Sequence, residues 1–277
     1  MNHLFQHIQG HLYGAFRPRL LPTGGASAWT PLSLFANSEQ GVWYDPSDFA
    51  SMFQDSAGTT PVTAVEQPVG KINDKSGNGN HATQATAPAR MPLQQDGGGK
   101  YYLACDGVDD FLATAAIDFS ASDEMTVVVA LERLDTSTSI VAELSNNVND
   151  NSGTFFVVSG ANEGAFYTSR SRGTDVAGQS ARWLPDDGAE KAIITATHDI
   201  SGDLSRIRRN GVYGTDSTTE KGSGNFGNFP LYIGSRGGAS LFFNGSIYGL
   251  LVIDRVLTAD ELAAAEAYFA DKSGMTL

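Results

Sequence analysis

The sequence predicts an all-β protein, a two-sheet antiparallel jelly-roll sandwich with an N-terminal arm and one short C-terminal helix. The chain has 277 residues, of which 41% are hydrophobic, so it can bury one large core. Short runs rich in Val, Ile, Thr, Phe and Tyr recur at a spacing of roughly 8–20 residues. Turn-forming residues, including many of the 31 glycines, separate these runs. Together these features are typical of many strands joined by turns.

Two runs, at residues 125–134 and 191–198, are apolar almost throughout, which predicts strands in the middle of a sandwich. Asn210-Gly211 is a strong signal for a hairpin turn. An acidic stretch at 106–110 between two apolar runs is interpreted as the turn of a second hairpin. The predicted strands are 41–44, 101–105, 111–114, 125–134, 139–144, 154–158, 164–169, 191–198, 205–209, 212–213, 231–233 and 246–253.

The helix is predicted at 259–272, after the last strand. Thr258 and Glu261 have the spacing of a capping box, and Gly274 is a suitable stop. An apolar stripe is formed by Leu262, Ala265 and Phe269.

Residues 1–37 differ in pattern from the rest, so we divide the chain into an anchoring arm at 1–37 and a sandwich domain at 38–277. Apolar residues of the arm have helical spacing, and two prolines and a Gly-Gly pair follow. Such a segment cannot form a core alone and is predicted to dock on a partner protein. The residues expected to make that contact are Leu4, Ile8, Leu12, Arg17 and Arg19.

Three arm histidines, His3, His7 and His11, would share one face of a helix. They could bind a metal or sense pH, or they could form only a polar face opposite the apolar residues. No carboxylate lies nearby, which favours the polar face.

The formal net charge is −13, which disfavours binding to nucleic acids and to anionic membranes. Cys105 is the only cysteine, so no intrachain disulfide can form, and we interpret it as a small core residue. We find neither a signal peptide nor a membrane-spanning run in the sequence. These features are compatible with assembly in a reducing cytoplasm.

Several motifs resemble the laminin-G-like domains of the concanavalin A-like type. They cover roughly residues 98–277 and are more specific in combination than singly. The motifs are EKAIITATHD (190–199), IRRNGV (207–212), LYIG (231–234), FNGSIY (243–248) and DRVLTADE (254–261).

The upstream motifs GVWYDPSD (41–48), FQD (53–55) and DKSGNGNHA (74–82) resemble the leader of laminin-G-like proteins of tailed phages and prophages. Ile72 stands where family members often carry Trp or Leu, a conservative departure. The aspartates of this leader, Asp45, Asp48 and Asp74, are predicted to form Asx-turns and so to serve structure rather than chemistry.

The resemblance implies a virion structural protein with a lectin-like domain, associated with the tail fibre or baseplate and involved in attachment to the host surface. It would be made in the host cytoplasm and be present in the particle as a homo-oligomer or in many copies. Its partners would be other virion proteins, through the arm, and a host-surface glycan. No cofactor is implied, although related domains sometimes bind Ca²⁺. One alternative is a purely structural or decorating protein of tail or capsid. Another is a glycan hydrolase, because the fold also hosts such enzymes.

The sequence favours a protein that is not an enzyme. Retaining glycosidases of this fold carry Glu-x-Asp-x-x-Glu on a strand, and no such run exists in the chain. Glu132 and Asp135 have the wrong spacing, and Glu261 and Glu266 lie on the terminal helix, where we expect them to be solvated. His198 is expected to be a packed or hydrogen-bonded histidine rather than a base.

Two groups of residues are candidates for binding. Asp106, Asp109 and Asp110 could offer oxygen ligands to Ca²⁺, although Asp is also a common turn residue. A sugar-binding surface is predicted from the Asn-rich loop 145–153 and an aromatic and basic segment further on, although Trp is equally common in cores. Its residues are Asn147, Asn149, Tyr167, Arg170, Arg172 and Trp183.

Overall fold

The computed structural model describes residues 29–162, 165–174, 180–183 and 190–277. Two antiparallel sheets pack face to face and one helix follows the last strand, which confirms the predicted fold class. The arm residues Leu4, Ile8, Leu12, Arg17 and Arg19, with the three arm histidines, lie outside the described residues.

The first sheet has eight strands, and all of its strand pairs are antiparallel. The strand β1 (Gly41–Tyr44) pairs with the second half of β17 (Asn244–Ile253), and β6 (Tyr101–Asp106) pairs with the first half of β17. In spatial order the strands are β15 (Val212–Tyr213), β14 (Leu204–Arg209), β13 (Glu190–Asp199), β8 (Glu124–Arg133), β17 (Asn244–Ile253), β6 (Tyr101–Asp106) and β5 (Leu93–Gln95), with β1 (Gly41–Tyr44).

The second sheet has nine strands and is also antiparallel. In spatial order its strands are β12 (Ala181–Trp183), β11 (Ala165–Arg172), β10 (Thr154–Asn162), β9 (Ser139–Leu144), β16 (Asn228–Ile233), β7 (Leu112–Asp118), β4 (Ala82–Thr83), β3 (Lys71–Ile72) and β2 (Met52–Phe53).

The centre of β8, residues 127–131, is apolar because both of its faces are buried. Val127 and Val129 face the second sheet and belong to the main core. Val128 and Ala130 face the opposite way, into a second cluster that lies beneath the helix. This arrangement explains why the run 125–134 shows no alternation of polar and apolar residues.

The helix α1 (Ala259–Ser273) forms as predicted. Thr258 and Glu261 make a reciprocal capping box, and Gly274 ends the helix with φ 74°. Its apolar stripe packs in the cluster on the outer face of the eight-stranded sheet. No helix within the described residues is long and apolar enough to cross a membrane.

The end of the segment assigned to the arm packs on the domain. Pro31–Phe35 form a 3₁₀ helix, and Leu34 and Phe35 are buried in the same cluster as α1. Burial of these two apolar side chains against the sheet and α1 stabilises the fold. The packed structure therefore begins before residue 38.

The predicted hairpin around residues 106–110 is wrong. The strand β6 belongs to the eight-stranded sheet and β7 to the nine-stranded sheet, so the acidic turn carries the chain from one sheet to the other. A hairpin and a connection between two sheets have the same alternation of polar and apolar residues and the same turn residues in the sequence. Only the pairing of the strands in the structure distinguishes the two. The hairpin at Asn210-Gly211 is confirmed, with φ 52° and 79° at its two turn residues.

Two of the three leader aspartates, Asp45 and Asp74, form the predicted Asx-turns, whereas Asp48 forms an ion pair with Lys75 at 2.6 Å. Asp45 Oδ1 accepts hydrogen bonds from the backbone N–H and the hydroxyl of Ser47, at 3.0 and 2.6 Å. Asp74 accepts from the backbone N–H groups of Trp43, Ser76 and Asn80, at 3.0, 2.9 and 3.1 Å. Asp74 thus connects the 74–80 loop to β1.

Candidate functional site

A row of side chains crosses the outer face of the nine-stranded sheet. Tyr232 lies opposite Glu143 in the strand register, Glu143 opposite Phe156, and Phe156 opposite Arg170. Their chain neighbours, such as Leu144 and Phe155, point into the main core. Because side chains alternate along a strand, this row faces away from the core.

A cavity of about 230 Å³ lies over this face. Its sides are formed by two loops, the Asn-rich loop 145–153 and the loop 234–243 that precedes β17. The residues that line it are Thr138, Asn149, Phe156, Val158, Arg170, Arg236 and Leu241.

The floor of the cavity is apolar. Phe156 and Val158 pack with Ile140, Val148 and Leu241 in a small cluster of their own, separate from the main core. Apolar side chains on the outer face of a sheet need such a cover, and the two loops supply it with Val148 and Leu241. The floor is therefore held in place by both loops.

Two arginines of β11 contact the Asn-rich loop. Arg170 donates from Nη2 to Asn149 Oδ1 at 2.8 Å, and its guanidinium carbon lies 5.0 Å from the Phe156 ring centre. Arg172 donates from Nη1 to the carbonyl of Val148 at 3.2 Å and to the carbonyl of Asn149. The loop is thus attached to the sheet by charged donors on one strand.

Glu143 connects the two loops beneath the cavity. Its side chain is fully buried, and Oε1 accepts the backbone N–H of Val148 at 2.6 Å. Oε2 accepts from Nε of Arg236 at 3.0 Å. Burial raises the pKa of Glu143, while its hydrogen bonds and the charge of Arg236 act in the opposite direction.

The structure divides the predicted sugar-binding residues. Asn149 and Arg170 line the cavity, whereas Arg172 holds the loop, and Asn147 stabilises the loop by bonds to Asn149 N–H and Asp150. Tyr167 is 0% exposed and lies in the main core.

Trp183 lies opposite Tyr167 in the strand register and packs against the same core, with the Arg209 guanidinium 5.7 Å from its ring centre. The predicted surface of Tyr167, Arg170, Arg172 and Trp183 is therefore wrong as a single site. The reason is the alternation along β11, which places Tyr167 and Arg170 on opposite faces of the sheet.

Five lining residues were missed from the sequence. Phe156 and Val158 alternate with core residues along β10, so the sequence shows that both faces of this strand are buried. It does not show which face is covered by a loop rather than by the other sheet. Thr138, Arg236 and Leu241 come from distant parts of the chain. The one available signal was Glu143, an acid inside an otherwise apolar strand.

The three aspartates of the acidic turn do come together. One oxygen from each of Asp106, Asp109 and Asp110 lies within 4.8 Å of the others. Burial, followed by the charge of Asp106, raises the pKa of Asp110 to about 6. Hard carboxylate oxygens suit Ca²⁺, but a Ca²⁺ ion takes 6–8 oxygens, so backbone or water would have to supply the rest. Calcium binding here stays a prediction.

Two further residues with titratable side chains, His198 and Cys105, are buried. His198 is buried as expected, with Ser169 Oγ 2.9 Å from Nε2 and Ser205 Oγ 3.1 Å from Nδ1. Cys105 is buried in the main core, also as expected.

The expectation that Glu266 is solvated is wrong. Glu266 is buried and accepts hydrogen bonds from Thr195 Oγ1 at 2.8 Å and from Arg208 Nη2 at 3.1 Å. It lies four residues after Leu262 and therefore on the helix face that meets the sheet. Glu261 is half-buried and forms an ion pair with Arg255 at 2.8 Å.

This fold, two large antiparallel sheets with a ligand-sized cavity on one outer face, is that of a lectin-like sandwich. A laminin-G family model, described as the concanavalin A-like lectin/glucanases superfamily, matches residues 106–263. The match covers more than half of the chain, and the chain belongs to this superfamily. A search of curated proteins found no match.

Solved structures share the fold at low identity. Trypanosoma rangeli sialidase in complex with the inhibitor DANA is 13% identical, with a TM-score of 0.52 over 93% of this chain and 36% of the sialidase. Botulinum neurotoxin type C, in a structure that concerns its interaction with two ganglioside molecules, is 15% identical, with a TM-score of 0.51 over 73% of this chain and 48% of the toxin.

Domain 4 of the GH43 arabinanase AbnA from Geobacillus stearothermophilus, in complex with arabinotriose, is 14% identical, with a TM-score of 0.49 over 85% of this chain and 98% of that domain. The chain spans about a third of the sialidase and about half of the toxin. These three structures are similar to this chain in fold.

Proposed function

We propose that the chain is a non-enzymatic carbohydrate-binding domain and that the cavity on the outer face of the nine-stranded sheet is its binding site. The observation that carries the proposal is the composition of this cavity. An apolar floor of Phe156, Val158 and Leu241 lies beside the polar groups of Asn149 and Arg170. A sugar ring has both an apolar C–H face and hydroxyl groups, and such a lining complements both.

The family and one structural neighbour support this proposal. The description of the superfamily names lectins and glucanases, which are proteins that bind or cleave carbohydrates. The neurotoxin of similar fold interacts with gangliosides, which are glycolipids. The fold alone does not define a function, so the cavity carries the argument.

The lining also supports binding rather than hydrolysis. None of the described residues that line the cavity is a carboxylic acid. The acid beneath the cavity, Glu143, is fully buried and already bonded to Val148 and Arg236. Hydrolysis by a retaining glycosidase needs two carboxyl groups about 5 Å apart across the scissile bond.

The finer proposal is that this domain attaches a phage particle to a glycan of the host surface. Its supports are the resemblance of the leader at 41–48 and 74–82 to laminin-G-like proteins of tailed phages, and the arm predicted to anchor the domain. A single shallow site binds weakly, whereas many copies on one particle raise avidity by roughly 10²–10⁴.

A glycan array with the purified chain tests the site. We expect Asn149→Ala, at an exposed loop position, and Phe156→Ala, in the floor, each to weaken glycan binding by roughly tenfold, the effect of one lost hydrogen bond or contact surface. Tyr213→Ala is the matched control, because Tyr213 is an exposed aromatic on the other sheet.

Melting curves of each variant separate lost binding from lost folding. Glycan binding that survives both Asn149→Ala and Phe156→Ala unchanged would place the site elsewhere. Release of reducing sugar from a bound polysaccharide would contradict the non-enzymatic part of the proposal.

A further inference from the structure

We infer that the sugar unit bound in this cavity carries a carboxylate, as uronic and sialic acids do, and that Arg170 and Arg236 hold that group. The inference rests on the proposed function and deepens it. Both charged residues among the described lining residues are arginines. The whole chain has a net charge of −13, so the cavity has the opposite sign to the protein around it.

Arg236 is available to a ligand. Its Nε is bonded to Glu143, and 19% of its side chain is exposed. Within the described part of the chain, no protein acceptor bonds its two Nη nitrogens. A guanidinium fixed at Nε and open at its terminal nitrogens is suited to a planar carboxylate.

Arg170 lies on β11, across Phe156 from Glu143 and Arg236, and contacts hold its guanidinium in one orientation. It is held by the hydrogen bond to Asn149 Oδ1 at 2.8 Å and by the Phe156 ring, 5.0 Å from its guanidinium carbon. Its guanidinium therefore needs little reordering to meet an anion, which favours binding.

The charge balance favours a single negative charge. Glu143 and Arg236 form an ion pair beneath the cavity, and the guanidinium of Arg170 also lines it. A carboxylate places one negative charge over the buried Glu143, whereas a phosphate dianion would place two there. The volume of about 230 Å³ is below the usual range for drug-sized ligands and suits one sugar unit.

Titration calorimetry on the full chain tests the inference with sialyllactose and with oligogalacturonate. Each is compared with its own carboxyl-reduced form, which keeps the ring and loses the charge, and with a sulfated neutral oligosaccharide. We expect at least one acidic probe to bind, and its reduced form to bind at least tenfold more weakly, because a charge-assisted bidentate bond is lost.

Variants assign the effect to the arginines. Arg170→Gln and Arg236→Gln should remove most of the difference between the acidic and the reduced probe. Arg236→Lys keeps a charge beside Glu143 but loses the planar fork, so it should fold like the wild type and still lose most of the preference. Arg206→Gln, at an exposed ion pair on the other sheet, is the control and should keep the preference.

The outcomes separate the two proposals. Equal affinity for an acidic probe and its reduced form, lost in Phe156→Ala, would overturn the carboxylate inference and leave the carbohydrate site standing. Equal or tighter binding of the sulfated probe would also overturn it. Absence of binding to every glycan tested would overturn both.

Discussion

His198 shows how one residue can join two sheets. It lies on β13 of the eight-stranded sheet, and its ring contacts Ser205 on β14 and Ser169 on β11 of the opposite sheet. The ring also stacks on Phe155, with centroids 5.9 Å apart. A histidine with both ring nitrogens bonded to hydroxyls is satisfied as a neutral group.

The protonation of His198 should therefore destabilise the fold. Burial, followed by the charge of Lys221, lowers the pKa of His198 to about 3 in the folded chain, against about 6.5 when it is unfolded. Between these two values the unfolded chain binds more protons, so the unfolding free energy should fall as the pH drops below 6.5. The slope from this residue is at most about 1.4 kcal/mol per pH unit.

Urea unfolding at pH 7, 6 and 5 measures this slope. His198→Asn should be less stable than the wild type at pH 7 but should lose less stability between pH 7 and pH 5. His81→Asn is the comparison variant, and it should reduce the slope less, because burial lowers the pKa of His81 too but its side chain is only partly buried. An unchanged slope in His198→Asn would show that other groups cause the acid sensitivity.

At the scale of elements, strand alternation and loop attachment decide what the site contains. The strand β11 sends Tyr167 into the core and Arg170 to the outer face. Glu143 joins the loops on either side of the cavity, because it bonds the backbone of Val148 and the side chain of Arg236. The site thus depends on a buried acid that does not line it.

We expect Glu143→Gln to loosen both loops. The variant keeps the shape of the side chain but leaves Arg236 without its counter-charge, at a cost of about 2–3 kcal/mol of unfolding free energy. Glycan binding should weaken more than in a variant with equal loss of stability elsewhere in the core.

Urea unfolding and calorimetry measure the two effects on the same samples. Glu220→Gln, at an exposed acid, is the matched control and should change neither. A Glu143→Gln chain with wild-type stability and wild-type binding would contradict the proposed role of Glu143.

At the scale of the whole molecule, the packed structure extends further towards the N-terminus than the predicted boundary between arm and domain at residue 38. Leu34 and Phe35 share a cluster with Phe269 of α1 and Trp43 of β1. Arg255 adds a hydrogen bond from Nη2 to the carbonyl of Leu34 at 3.4 Å. The boundary between arm and domain is therefore better tested by two truncations than by one.

A chain that begins at Trp29 should melt like the full chain, because it retains Leu34 and Phe35. A chain that begins at Ser38 should lose about 3 kcal/mol or more of unfolding free energy, since two buried apolar side chains are removed. Neither chain should join a particle or partner protein if residues 1–28 are the anchor.

Denaturant unfolding and a co-purification assay read out these two effects. Equal stability of the two truncated chains would show that Leu34 and Phe35 add little to the fold. Normal assembly of the shorter chains would contradict the role of the arm.

The sequence alone determined the positions of the longer strands, the capped helix and the Asx-turns of Asp45 and Asp74, because these depend on alternation, turn residues and caps within a few residues of one another. It did not show the short strands β2, β3, β4, β5 and β12. It did not determine that β6 and β7 enter different sheets, or that Leu34 and Phe35 pack under α1. It predicted Asn149 and Arg170 as binding residues, but it joined them to Tyr167 and Trp183 and missed Phe156 and Arg236. Only the tertiary structure decides such pairings, since a strand's period shows that it has two faces but not which partner covers each one.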